Sequence, residues 1–215
     1  MTDNFVNYKN YINLMGGLPE TNEKGNLDKY YVIELMRRGK DNKDLPAANV
    51  HFKNYYIYSW DDYRKYEQEI KELCTMFRMR AYASVNYKLM SQVALDTMAE
   101  SARRLAAHDY KKFYQIFESC SGKFKDVGNS VWIIDIDDDD FASNYHIVED
   151  VLRIINECQS KYEDKLIMKM PTKSGEHLIV HTFNKMEYEE KFREEFDCEP
   201  PTIKENHLTL LFENL

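Results

Sequence analysis

Glycine and proline are scarce in this 215-residue chain, at 7 and 5 residues, which excludes a collagenous, low-complexity or linker-rich organisation. The four cysteines, Cys74, Cys120, Cys158 and Cys198, stand about forty residues apart. That spacing forms neither a CxxC knuckle nor the dense framework of a small disulfide-stapled domain, so they read as reduced thiols, mostly packing groups on helices. No apolar run approaches the ~20 residues that span a bilayer, and the opening MTDNFVNYKN lacks the charged-then-apolar plan of a signal peptide. A cytoplasmic protein without a membrane partner is expected. Positive charge is also in deficit, with 29 Lys and Arg against 37 Asp and Glu, which argues against a purely nonspecific nucleic-acid binder.

What the chain has instead is 16 Tyr, 11 Phe and an uneven distribution of charge. Residues 1–130 carry a formal +3 and residues 131–215 a formal −11. A weakly basic first part beside an acidic second part suits a polyanion held on one and cations on the other. The chain is long enough for a substantial core in one or two lobes.

Periodicity gives the organisation. The first 26 residues predict an irregular entry with one short helix at NYKNYINLM. KYYVIELMRR and NVHFKNYYIYS predict strands, rich in β-branched and aromatic residues, joined by the loop GKDNKDLPAA. Ser59 followed by Asp62 predicts a helix start, and Tyr63, Tyr66, Ile70, Leu73, Cys74 and Phe77 then recur at helical spacing. RMRAYASVN predicts a strand. Leu89 to about Glu118 predicts a long helical region with a break near His108, and SGKFKDVGNS a boundary between an amino-terminal α/β module, 1–130, and a second unit, 131–215, the two expected to pack as one compact body.

The second unit has a cleaner rhythm. Val131 to Ile136 is apolar without alternation, as in a central strand. Ile147, Val148, Val151, Leu152, Ile154, Ile155 and Cys158 trace one helical face in a helix expected to start after Ser143 or Asn144. KLIMKMP and EHLIVHTF predict a hairpin across TKSG, KMEYEEKFREEF a charged helix, and TIKENHLTLLFEN one last strand. The fold class is therefore α+β: an RRM-like or ferredoxin-like β-α-β-β-α-β layer preceded by the α/β module.

Two stretches of this unit carry chemistry. VWIIDIDDDD runs a strand into five acids within six positions, and Asp135 and Asp137, two apart, project from the same face. Two carboxylates so placed repel, and a shared Mg²⁺ or Mn²⁺ relieves the repulsion. Asp138, Asp139 and Asp140 read as solvated loop acids. In MPTKSGEHLIV, Lys173, Ser174 and His177 offer donors suited to a triphosphate opposite a metal pair. Taken alone, that stretch is equally a hairpin turn followed by an ordinary strand histidine. In the first part, Arg37, Arg38 and Arg80 lie near Tyr55, Tyr56, Tyr58 and Tyr82, a mixture that can hold phosphates and stack bases. Most of those tyrosines read as packing residues.

IIDIDDDD followed by a helix, a strand and TKSGEHLIV resembles the archaeo-eukaryotic primase superfamily, with its hhhDhD motif, SxH-type motif and single-acid third motif on an RRM-like sheet. The resemblance covers residues 131–215. It implies a metal-dependent nucleotidyltransferase of the DNA primase or primase-polymerase kind, joining nucleotides on a single-stranded template. In that case Asp135 and Asp137 would be catalytic and metal-binding, and Lys173, Ser174 and His177 would contact the incoming nucleotide. Arg37, Arg38 and Arg80 would hold nucleic acid. Mg²⁺ or Mn²⁺ would be the cofactor, and nucleoside triphosphates, template and replication proteins the partners. The third acid has no aspartate in PTIKENHLTLLFE; Glu205 is the nearest candidate, and Asp197 precedes the Pro pair. With no cysteine cluster for zinc, this would be a minimal member of the kind phages and mobile elements carry, acting in the host cytoplasm. Haloacid-dehalogenase phosphatases also open with hhhDxD, but DIDDDDF lacks their small residue and hydroxyl. The remaining alternative is an RRM-like nucleic-acid-binding or interaction protein with a degenerate site.

Overall fold

The computed structural model describes residues 1–23, 28–44, 49–124, 130–137 and 146–214. A two-residue strand β1 (Thr2–Asp3) leads into α1 (Phe5–Leu14), then β2 (Lys29–Arg37) and β3 (Val50–Ile57). Helix α2 (Trp60–Phe77) starts where the Ser59 hydroxyl accepts the Asp62 N–H at 3.2 Å, and ends where Arg78 turns left-handed at φ 51°. Next come β4 (Arg80–Ser84), the short β5 (Lys88–Leu89) and α3 (Met90–Ala106). The expected break near His108 is a positive φ of 53° there, followed by a single 3₁₀ turn at Phe113–Gln115 and α4 (Ile116–Lys123).

The second unit follows as β6 (Val131–Asp137), α5 (Ile147–Glu157), β7 (Leu166–Pro171), β8 (Gly175–His181), α6 (Lys185–Phe196) and β9 (Thr202–Glu205), with β10 (Leu208–Glu213) after it. The chain is thus α+β, with two antiparallel sheets and six α-helices among the described residues. Asp138, Asp139, Asp140, Ser143 and Asn144 lie outside the described residues.

The first sheet has the order β1-β10-β4-β2-β3, with β5 on β2, and the second the order β7-β8-β6-β9. β6 is therefore central, as its unbroken apolar run requires. One face of the second sheet carries Ile134, Ile136, Leu178 and Val180, covered by Val151, Ile154 and Ile155 of α5 and by Tyr188 and Phe192 of α6. Burying each of these side chains contributes roughly 1.5–3 kcal/mol. The other face carries Val131, Ile133 and Ile179, which join Tyr8 and Ile12 of α1, Ile33 and Leu35 of β2, and Leu211 of β10 in one cluster. The outer face of β2, with Tyr30 and Val32, packs on Val93 of α3 and on Ile116 and Cys120 of α4.

One expectation is corrected. TIKENHLTLLFEN is two strands: Asn206 adopts φ 46° between β9 and β10, and its side chain donates to the Phe124 carbonyl at 3.2 Å. β9 completes the second sheet, whereas β10 crosses to the first and pairs with both β1 and β4. The boundary drawn at residue 130 is consequently crossed by the chain. Two buried asparagines fasten the sheets together. Asn4 donates to the Pro171 and Leu210 carbonyls, both at 2.8 Å, and Asn86 exchanges two hydrogen bonds with the Val131 backbone at 2.8 and 3.0 Å. Such fully paired polar groups fix a register that apolar packing alone leaves free. Among the described residues no helix is long and apolar enough to cross a membrane.

Candidate functional site

The end of β6 is shaped by one glycine. In the β6–β8 ladder Asp137 faces Gly175 and Asp135 faces His177. Gly175 has φ 139°, and a Cβ there would meet the Ile136 carbonyl oxygen at 2.0 Å. Only glycine lets the hairpin come this close, and the closeness places the Ser174 hydroxyl 3.4 Å from Asp137 Oδ1. The serine-glycine pair thus brings the two sequence motifs to one strand end.

Asp135 is engaged at both oxygens. His177 Nε2 lies 3.0 Å from Oδ1, and the Lys204 ammonium pairs with Oδ2. A carboxylate only accepts, so Nε2 carries a proton, while Nδ1 lies 3.0 Å from the Thr209 hydroxyl. The hydrogen bond from His177, helped by Lys204, holds the Asp135 carboxyl well below the usual carboxylate range, against the opposing effect of burial. Thr209 belongs to β10, so a strand of the first sheet holds an imidazole of the second.

Around this cluster lies a cleft of about 400 Å³ between the sheets. The second sheet contributes Asp135, Asp137, Lys173, Ser174, His177 and Lys204, and the first contributes Met36, Arg38, Lys40, Arg80 and Tyr82. Arg38 Nη1 donates to the Tyr82 hydroxyl at 3.3 Å. Arg80 is buried, 2.7 Å from Asp41 Oδ1 and 3.2 Å from Glu213 Oε2, and Lys173 lies 3.7 Å from the same Asp41 oxygen. Arg80 therefore braces the cleft floor, while Arg38, Lys40 and Lys173 are more accessible.

The structure brings together seven of the nine residues singled out from the sequence: Asp135, Asp137, Lys173, Ser174, His177, Arg38 and Arg80. Arg37 and Glu205 are outside the cleft lining. Arg37 alternates with Met36 and Arg38 along the chain, and both of its neighbours line the cleft. Glu205 pairs with Trp132, on the face that packs against α6, and is exposed; Asp197 caps the end of α6. The position facing the cleft from β9 is Lys204, paired with Ile133. Sequence reasoning missed Lys204, Asp41 and Thr209. Parity along TIKE was the available signal for Lys204, since residues 204 and 205 must face opposite ways.

Among the described residues no group of three or more His, Cys, Asp and Glu is placed to hold a metal ion. The donors present nevertheless fit Mg²⁺ or Mn²⁺ in kind. Two hard carboxylates share one strand face, and such ions take their remaining ligands from water and phosphate.

No protein-family model, curated protein or solved structure matches the chain.

Proposed function

We propose that the cleft binds a nucleoside triphosphate with Mg²⁺ or Mn²⁺, and that the protein is a nucleotidyltransferase of the primase or primase-polymerase kind, built on an RRM-like layer. The observation that carries this reading is convergence: an aspartate pair, a Lys-Ser-Gly hairpin with its histidine, and a basic wall from another sheet meet in one cleft. The strand order β7-β8-β6-β9, with both helices on one face, supports the RRM-like assignment. A volume of about 400 Å³ lies within the range of small-ligand pockets.

Asp135 and Asp137 would hold the metal, which when bound neutralises phosphate charge and activates a hydroxyl for in-line attack. Lys173, Ser174 and Arg38 orient the triphosphate by hydrogen bonds, whereas His177, expected from the sequence to contact it, has both ring nitrogens engaged by Asp135 and Thr209 and positions the Asp135 carboxylate instead. Arg80, paired with both Asp41 and Glu213, is neutralised there and serves as a fixed brace, so the positive charge of that wall comes from Arg38, Lys40 and Lys173. A single strand would be held along the basic wall, with Tyr82 offering an aromatic face.

A second reading, a binding module without catalysis, is favoured by Lys204 on Asp135 and by the lack of a third acid in the cleft lining among the described residues. Purified protein incubated with Mn²⁺, labelled nucleotides and a single-stranded template separates the two. Extended product on a denaturing gel, abolished by Asp137→Asn, supports the transferase. Thermal stabilisation by Mn²⁺ and nucleotide without product supports the binding module. Neither product nor stabilisation would sink both.

A further inference from the structure

Lys204 stands where the primase-like reading asks for a metal-binding acid, and its contact is with the very carboxylate that the metal requires. The Asp135 side chain is only 17% exposed, so its charge is poorly relieved by water, and Lys204 is 29% exposed, with its ammonium at the cleft. The register explains the reach. Asp135 faces Thr202 on β9, so Lys204, two residues along, comes to it diagonally by a long flexible stem. Such a stem can turn from the carboxylate into the cleft without any backbone change. His177 has no such freedom, because Thr209 holds its other nitrogen.

We infer that Lys204 is a built-in counterion that competes with the divalent metal for Asp135, so that metal binding waits on the nucleotide. This rests on the reading of Asp135 and Asp137 as the metal's ligands. Without nucleotide, an incoming ion has to displace an ammonium already paired with Oδ2. A triphosphate in the cleft gives Lys204 a more highly charged partner beside Lys173 and Arg38, and frees Oδ2 for the ion. Nucleotide and metal then bind with positive coupling, and by linkage each tightens the other by the same factor. The device would keep a bare metal ion from occupying the site without substrate.

The test measures Mn²⁺ binding, from the electron paramagnetic resonance signal of free Mn²⁺, for the full chain and for Lys204→Met and Lys204→Arg. Each is measured alone and with a non-hydrolysable nucleoside triphosphate. Lys204→Met should bind Mn²⁺ alone roughly tenfold more tightly than the parent and show a weaker response to nucleotide, whereas Lys204→Arg keeps the parent's weak binding and strong response. Equal Mn²⁺ affinity of Lys204→Met and the parent without nucleotide overturns the counterion role and leaves the metal site standing. Absence of Mn²⁺ binding in every protein, with and without nucleotide, overturns the metal reading and the inference together. Should Lys204→Met fail to fold, Lys204→Gln gives the same comparison, with circular dichroism checking its fold.

Discussion

Replacing His177 by alanine gives the sharpest test of how this site is built. The imidazole side chain is 10% exposed and lies between Asp135 and Thr209 at 3.0 Å on each side. Removing it leaves the Asp135 Oδ1 without its donor and the hydroxyl of Thr209, a residue 1% exposed, without its partner. An unsatisfied buried polar group costs about 1–3 kcal/mol, so the two together should cost about 2–6 kcal/mol; the retained Lys204 contact favours the lower end. Against a total stability of about 5–15 kcal/mol that is a large fraction. Urea unfolding followed by circular dichroism reads it, with Thr209→Val and the double variant completing a cycle. Because the two side chains share one hydrogen bond, the double variant should cost less than the sum of the singles. A histidine whose main partner is a ligand would instead leave the unliganded protein near its parent. A loss under about 0.5 kcal/mol, the usual range for a surface substitution, would refute the buried bridge described above.

Three further outcomes are expected. Gly175→Ala should destabilise by at least about 2 kcal/mol in the same assay, since its Cβ would meet a backbone oxygen at 2.0 Å and its φ of 139° is open essentially to glycine alone; a neutral result would mean that the hairpin does not approach β6 this closely. Asp135→Asn should be less stable than the parent at neutral pH, with the gap constant down to about pH 4 and then starting to narrow: a carboxyl whose folded pKa is depressed contributes stability above its unfolded value of about 3.9 and loses it fully only as pH falls through the much lower folded value. Unfolding curves from pH 7 to pH 3 check this, and a gap independent of pH would contradict it. Arg38→Ala should weaken binding of a fluorescent nucleoside triphosphate several-fold, whereas Arg37→Ala, outside the cleft lining, should change it less than twofold.

Much of the second unit was legible in the sequence because its signals are local. The apolar run of β6 lacks alternation because both faces are buried, one by α5 and α6 and the other by the core shared with the first sheet. The stripe on α5 and the Ser59 cap of α2 are equally local. That the strand carrying His177 lies beside the one carrying Asp135 followed from element order, since a hairpin returning beside a central strand brings its second arm alongside. The division of TIKENHLTLLFEN between two sheets was not legible. β9 and β10 read as one strand because nothing but Asn206, a residue tolerant of the left-handed region, marks the turn, and sheet membership is decided by long-range partners. The choice of Glu205 over Lys204 failed for a related reason. One residue of register exchanges the faces of a strand, and register is set by β6, seventy residues earlier. The two arginines differ in kind, because alternation alone separates Arg37 from Arg38.

The crossing of β10 also sets the order in which the molecule can come into being. β10 is synthesised after every other described strand, yet it stands between β1 and β4 in the first sheet. Until it arrives, β1 has no neighbour in the ladder and β4 has an open edge, although α2, β2 and β3 were made long before. The amino-terminal sheet therefore cannot close during its own synthesis, and its pairing is delayed by long sequence separation, which slows folding and exposes strand edges meanwhile. Because Thr209 on that strand holds His177, the imidazole is locked only when the sheet closes. A nascent chain stalled before Leu208 should carry the aspartates and the hairpin and still lack a finished cleft.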